Sequence, residues 1–221
     1  MTRNIKIGSL DCLCCAGSVD RIAYILYPTD MLADWIEPAV NRYGPTIVVI
    51  TGMDWQNVFS PWPAKGVPAG SPDFKGESPQ FLATLQQSVI PQVERALNIS
   101  PDAERTLVGV SMSALFALWQ WMLCDTFANI ASLSGSFWYA GFLDWMRQRA
   151  IPKKNGRGFF LLGKLEDKSK VKAFDCVAAN TEEILNLLRE ADVDVEFRSV
   201  PGSHYSNPIP RLDLAFQALY E

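Results

Sequence analysis

The chain has 221 residues, enough for one domain with a sizeable core, and 48% hydrophobic with 20% charged residues is the balance of an ordinary globular protein. A formal net charge of −4 with no basic tract excludes a nucleic-acid surface, where clustered Lys and Arg must neutralise phosphates. No apolar stretch approaches the roughly 18 residues that a membrane-spanning helix needs.

Met1-Thr2-Arg3-Asn4-Ile5-Lys6 carries positive charge with no apolar run behind it, so no signal peptide is expected. Without one, five cysteines, an odd count, read as reduced thiols in a cytoplasmic protein. Cys12, Cys14 and Cys15 form a Cys-x-Cys-Cys cluster that could hold a soft metal. With a single histidine and no second cysteine pair, a tetrahedral set is incomplete, so a buried or incidental role is expected and no metal or cofactor.

Along the chain, apolar runs alternate with helical patterns, the signature of an α/β protein. Ile22-Ala23-Tyr24-Ile25-Leu26-Tyr27 predicts an early strand stopped by Pro28, and Thr46-Ile47-Val48-Val49-Ile50 a strand buried on both faces. Residues 53 to 80, rich in Pro, Gly, Ser and Trp and without a period, predict a long loop. Phe81, Leu85, Val89 and Val93 recur every four residues and mark a helix that Pro91 should kink or end early. Thr106-Leu107-Val108-Gly109-Val110 is a third strand, and Ser113 to Leu123 an apolar, buried helix. Strands follow at Ile130 to Leu133 and Phe159 to Leu162, then a long helix around residues 171 to 190. Val193 to Phe197 alternates as the last strand, and Ile209 to Tyr220 closes the chain as a helix. The short basic run Lys153-Lys154-Asn155-Gly156-Arg157 reads as a solvated loop. No repeat or linker interrupts the order, so one domain over residues 1–221 is expected.

Gly109-Val110-Ser111-Met112-Ser113 falls where a strand gives way to a helix, the setting of a nucleophile elbow. A turn that tight demands small neighbours, which Gly109, Ser113 and Ala114 supply, although Ser113 stands where Gly-x-Ser-x-Gly ends on glycine. The competing use of Ser111 is a plain helix N-cap. A serine needs a base, and the only histidine, His204, lies in Pro201-Gly202-Ser203-His204-Tyr205 between the last strand and the last helix. An exposed loop histidine is the alternative there. Glu166 and Asp167 follow the strand between them. Either could hold the imidazole tautomer, with Glu166 preferred, or both could be solvated charges ahead of Lys168. An oxyanion hole needs two backbone N–H groups: Met112 after the nucleophile, and Gly52 or Met53 after the strand at 46 to 50.

These residues together resemble the esterase family of α/β-hydrolases that includes ferric enterobactin esterases, S-formylglutathione hydrolases and feruloyl or acetyl-xylan esterases. Gly109-Val110-Ser111-Met112-Ser113 resembles the family's Gly-x-Ser-Met-Gly elbow. Ser132-Leu133-Ser134-Gly135-Ser136-Phe137-Trp138-Tyr139 is similar to the Ser-Gly-Ser-Phe/Tyr-Trp-Trp stretch of the enterobactin esterases. Gly163-Lys164-Leu165-Glu166 and Gly202-Ser203-His204 match the acid and histidine positions. The resemblance implies an α/β-hydrolase fold: a mostly parallel central sheet with helices on both faces and no large cap. It implies Ser111 as nucleophile, Glu166 as acid, His204 as base, and Gly52 with Met112 near the oxyanion. Ser113, and Tyr139 where a second tryptophan is usual, depart from the pattern, and no separate N-terminal domain like that of the longer enterobactin esterases is expected.

Trp55, Phe59, Trp62, Phe137, Trp138 and Tyr139 fall on loops at the C-terminal ends of the strands, where such folds bind ligands. They would suit an aryl or catechol acyl group, although at least half are expected to pack the loops against the core. The expected partner is a small-molecule ester, with no nucleic acid and no membrane; oligomeric state is left open. The sequence thus points to a serine esterase. A non-catalytic binding protein on the same fold, and a thioesterase or acyltransferase on the same triad, are the alternatives.

Overall fold

The computed structural model describes residues 2–28 and 31–221. In chain order the strands are β1 (Thr2–Ile7), β2 (Leu10–Cys15), β3 (Ser18–Leu26), β4 (Pro45–Thr51), the short β5 (Pro63–Ala64) and β6 (Phe74–Lys75), then β7 (Glu104–Val110), β8 (Asn129–Leu133), β9 (Arg157–Gly163) and β10 (Asp194–Val200). Eight of them form one sheet in the order β1-β2-β4-β3-β7-β8-β9-β10, while β5 and β6 pair as a separate ribbon. Only β2 runs against the others. The architecture is the expected mostly parallel α/β sheet.

The six predicted strands become β3, β4, β7, β8, β9 and β10. β4 and β8 are buried almost throughout, as β-branched and aliphatic runs covered on both faces must be. The hairpin β1–β2 was not anticipated. Alternation along β2 sends Cys12 and Cys14 into the core on one face and Cys15 into the core on the other. All three are buried, packed as small hydrophobes, and the Cys14 thiol donates to the Cys12 carbonyl at 3.3 Å.

Helices cover both faces. On one side lie α1 (Ala33–Tyr43) and α8 (Ile209–Tyr220), joined by an edge-on contact of Trp35 with Phe216 at 5.1 Å. The other side carries α3 (Ser78–Thr84), α4 (Ile90–Leu97), α5 (Met112–Trp121) and α7 (Val177–Glu190). Every residue of α5 is buried. Two short helices, α2 (Trp55–Val58) and α6 (Phe142–Arg147), sit in the loops after β4 and β8.

The helix predicted from Phe81 onwards neither ends nor breaks at Pro91. A π turn over Leu85–Val89 joins α3 to α4. Proline lacks an N–H and crowds the carbonyl four residues back, and a wider turn just before it accommodates both defects. It also keeps Phe81, Leu85, Val89 and Val93 on one buried face, since a four-residue spacing overshoots an α-helical turn by about 40°. The segment from 53 to 80 is more ordered than its composition suggests. Asn57 Oδ1 accepts the Lys75 N–H at 3.1 Å and Ser60 Oγ the Gly76 N–H at 2.9 Å, tying α2 to the ribbon. The helix expected from 171 begins at Val177, after a single 3-10 turn at Lys172–Phe174.

Candidate active site

Ser111 links β7 to α5 with φ 58° and ψ −119°, a conformation that costs a non-glycine residue energy and persists only where its surroundings impose it. Those surroundings are specific. A Cβ on Gly109 would lie 2.2 Å from the Ser113 carbonyl oxygen, so no side chain fits there. Ser111 N–H donates to the Leu133 carbonyl at 3.0 Å, and the Ser111 carbonyl accepts Ser136 N–H at 3.1 Å, pinning the turn to the end of β8. Ser113 Oγ accepts the Val110 N–H at 2.7 Å and can donate to the carbonyls of Val110, at 2.9 Å, or Leu26, at 3.0 Å. Where the family pattern has glycine, a buried hydroxyl fastens the elbow to the end of β3.

Ser111 Oγ lies 3.0 Å from His204 Nε2, and His204 Nδ1 lies 3.0 Å from Glu166 Oε2. The imidazole therefore bridges the hydroxyl and a carboxylate from the turn after β9. Asp167 is turned elsewhere: it pairs with Lys168 at 3.1 Å and borders a separate cavity with Arg189 and Phe197. Gly163 makes the meeting possible, since a Cβ there would stand 2.6 Å from the Gly202 carbonyl oxygen and 2.9 Å from Glu166 Oε1. Burial pushes the Glu166 carboxyl up, but hydrogen bonds from His204, Ser134 and the Gly163 N–H outweigh it and hold the group below the usual carboxylate range.

Three residues with no part in the sequence-based site join it. Ser136 Oγ is 3.3 Å from Ser111 Oγ. Ser134, at φ 54° and buried, donates to Glu166 Oε1 at 2.7 Å. Arg211, in the first turn of α8, reaches Glu166 Oε1 at 3.1 Å. The serines lie inside the stretch 132 to 139 that resembles Ser-Gly-Ser-Phe/Tyr-Trp-Trp, where the resemblance assigned them no role. Arg211 left one faint signal, a cation among apolar helix residues with no acidic residue three or four positions away.

Two cavities open beside Ser111 and His204. One, of about 470 Å³, is walled by Trp138, Phe174 and Leu165 with Lys168 and Lys170 at its border. The other, of about 300 Å³, has Tyr27, Met31, Trp55 and Tyr205. Of the aromatic residues singled out from sequence, Trp138 and Trp55 therefore border Ser111. Phe59 packs among Trp55, Phe81 and Phe116, and Phe137 against Phe142 and Phe160. The buried Tyr139 donates to the Trp62 carbonyl, while Trp62 Nε1 donates to the Ala140 carbonyl at 2.9 Å. These four rings brace the wall from behind.

Met112 opens α5, so its N–H has no intrahelical acceptor and stands next to Ser111. Gly52 and Met53 border cavities that do not include Ser111. At φ 83°, with its Cβ position 2.7 Å from the Ser9 carbonyl oxygen, Gly52 is accounted for by the close passage of the β1–β2 turn. Trp55 is the residue by which that loop reaches the site.

A family model described as "Putative esterase" matches residues 24–207. The uncharacterized protein YbbA of Bacillus subtilis (strain 168) is 24% identical over 160 residues, 70% of this chain and 64% of that protein. The match thus spans under two thirds of that relative's length. An IroE-like serine hydrolase from Shewanella oneidensis superposes with a TM-score of 0.82 at 14% identity, covering 100% of this chain and 80% of that one. Siderophore hydrolase EstB from Aspergillus nidulans does so with a TM-score of 0.75 at 18% identity, covering 100% and 95%. At these identities the two structures establish a shared α/β-hydrolase fold.

Proposed function

The chain belongs to the esterase family, and from that premise we propose that it is a serine carboxylic-ester hydrolase working through an acyl-enzyme. The observation that carries the reading is the continuous path from Ser111 Oγ through His204 to Glu166, with both contacts at 3.0 Å, on a strained elbow. His204 Nε2 takes the hydroxyl proton as Ser111 Oγ attacks the ester carbonyl carbon. The negative charge that develops on the carbonyl oxygen is met by the Met112 N–H. As the tetrahedral intermediate collapses, the C–O bond to the alcohol breaks and His204 returns the proton to it. A water deprotonated by the same nitrogen then releases the acid and restores Ser111. Glu166 keeps the proton on Nδ1, which leaves Nε2 free to act as base, and stabilises the imidazolium.

For the substrate we propose an aryl or siderophore-like ester. Trp138 and Phe174, with ring centroids 4.8 Å apart and planes inclined at 43°, give an angled apolar wall, and Lys168 and Lys170 offer positive charge at the border of the same cavity. A siderophore hydrolase among the similar folds is consistent with that choice. A fluorophosphonate probe should label Ser111, and Ser111→Ala should abolish labelling and lower kcat about 10⁴-fold or more. A wild type that stays unlabelled would count heavily against the mechanism. Rates on matched ester, thioester and alcohol-acceptor substrates separate an esterase from a thioesterase or acyltransferase using the same residues.

A further inference from the structure

Glu166 meets His204 through one oxygen alone. Its other oxygen, Oε1, receives the Gly163 N–H and the Ser134 hydroxyl, each at 2.7 Å, and Arg211 Nη1 at 3.1 Å. Arg211 Nη1 also donates to Ser134 Oγ, while Nη2 of the same guanidinium donates to the Ser203 carbonyl at 2.7 Å. Ser203 immediately precedes the histidine. One planar group therefore grips both the acid and the loop that carries the base. The side chains of Arg211 and Glu166 are 7% and 2% exposed, so solvent screens neither.

We propose that Arg211, held by Ser134, is a positioning residue of this site. It fixes the Glu166–His204 pair in register, so that His204 Nε2 stays aimed at Ser111 Oγ. The inference rests on the serine-esterase reading above. The other charged or titratable groups near His204, among the described residues, are Lys168 and Lys170 at the larger cavity, Asp167 paired to Lys168, and Tyr27 and Tyr205 at the smaller one. Among the described residues, Arg211 is the cation whose ion pair with the Glu166 carboxylate is closed inside the protein.

Because the chain has one histidine, its ring resonances can be followed by NMR without any turnover. In Arg211→Met kcat should fall about tenfold at unchanged KM, and the ring resonances should shift as the imidazole loses its fixed orientation. Arg211→Lys keeps the charge but not the two-armed reach, so it should restore little of that kcat. A folded Arg211→Met with wild-type kcat and ring resonances overturns the proposal. If that variant does not fold, Ser134→Ala decides: kcat should fall about tenfold at unchanged KM, and an unchanged kcat overturns it. Fluorophosphonate labelling of the same wild-type sample tests the esterase reading separately from the NMR readout.

Discussion

The carboxyl of Glu166 lies inside the protein, and the donors around it more than offset the cost of burying its charge. That balance links the site to acid stability. A carboxyl held below its unfolded value contributes stability in full above about pH 4.3, the ordinary glutamate value. The contribution is lost as pH falls through the lower folded value. Denaturant unfolding of the wild type should therefore weaken in that acid window, and Glu166→Gln should flatten this part of the curve while lowering stability at neutral pH. A variant curve parallel to wild type below pH 4.3 would contradict the assignment. Ser111, His204 and a carboxylate after β9 were readable as candidates in the sequence because chain order and strand-to-helix punctuation place them without reference to distant contacts. The choice between Glu166 and Asp167 was not, since it turns on which way a single 3-10 turn faces. Ser134 and Arg211 lie 77 residues apart and meet only when α8 closes on the end of β8, which no local pattern records.

At the scale of elements, β2 is the instructive case. Burial chiefly, with Asp11 adding to it, pushes the Cys12 thiol up to about 11; burial chiefly, with Cys12 adding to it, pushes Cys14 up to about 12. Since the thiolate is the reacting form, neither should react while the sheet is intact. Brief iodoacetamide treatment of the native protein near pH 8 should modify the exposed Cys176, whereas Cys12, Cys14 and the buried Cys15 should react only after unfolding. Peptide mass spectrometry would show this, and alkylated Cys12 or Cys14 in native protein would refute it. The hairpin escaped sequence reading for compositional reasons. β1 is largely exposed and alternates charged with apolar residues weakly, and in β2 cysteine stands where valine or isoleucine would have announced a strand. α1 was missed because Pro38 sits inside it and polar residues interrupt its apolar stripe. The strands made of β-branched and aliphatic runs, by contrast, could hardly be anything else.

For the molecule as a whole, the sheet divides the interior into two cores, the larger under α3, α4, α5 and α7 and the smaller under α1 and α8. Strands β3, β4, β7 and β8 are hydrogen-bonded on both sides and covered on both faces, whereas β1 and β10 have one bonded side and are mostly exposed. Amide hydrogen exchange followed by mass spectrometry should find the slowest amides in the four central strands and markedly faster ones in β1 and β10. Exchange in β10 as slow as in β7 would rule out this ordering. Because only β2 is reversed, the strands at the two ends of the sheet point the same way. The free edge of β10 in one molecule could accordingly register in parallel with β1 of the next, and such head-to-tail addition continues without end unless the rotation between copies closes it into a ring. Arg3 and Lys6 on one edge, and Asp194 and Arg198 on the other, are exposed charges that joining would have to strip of water. The direction of one hairpin thus leaves the sheet geometrically able to polymerise, and four side chains on its borders oppose it.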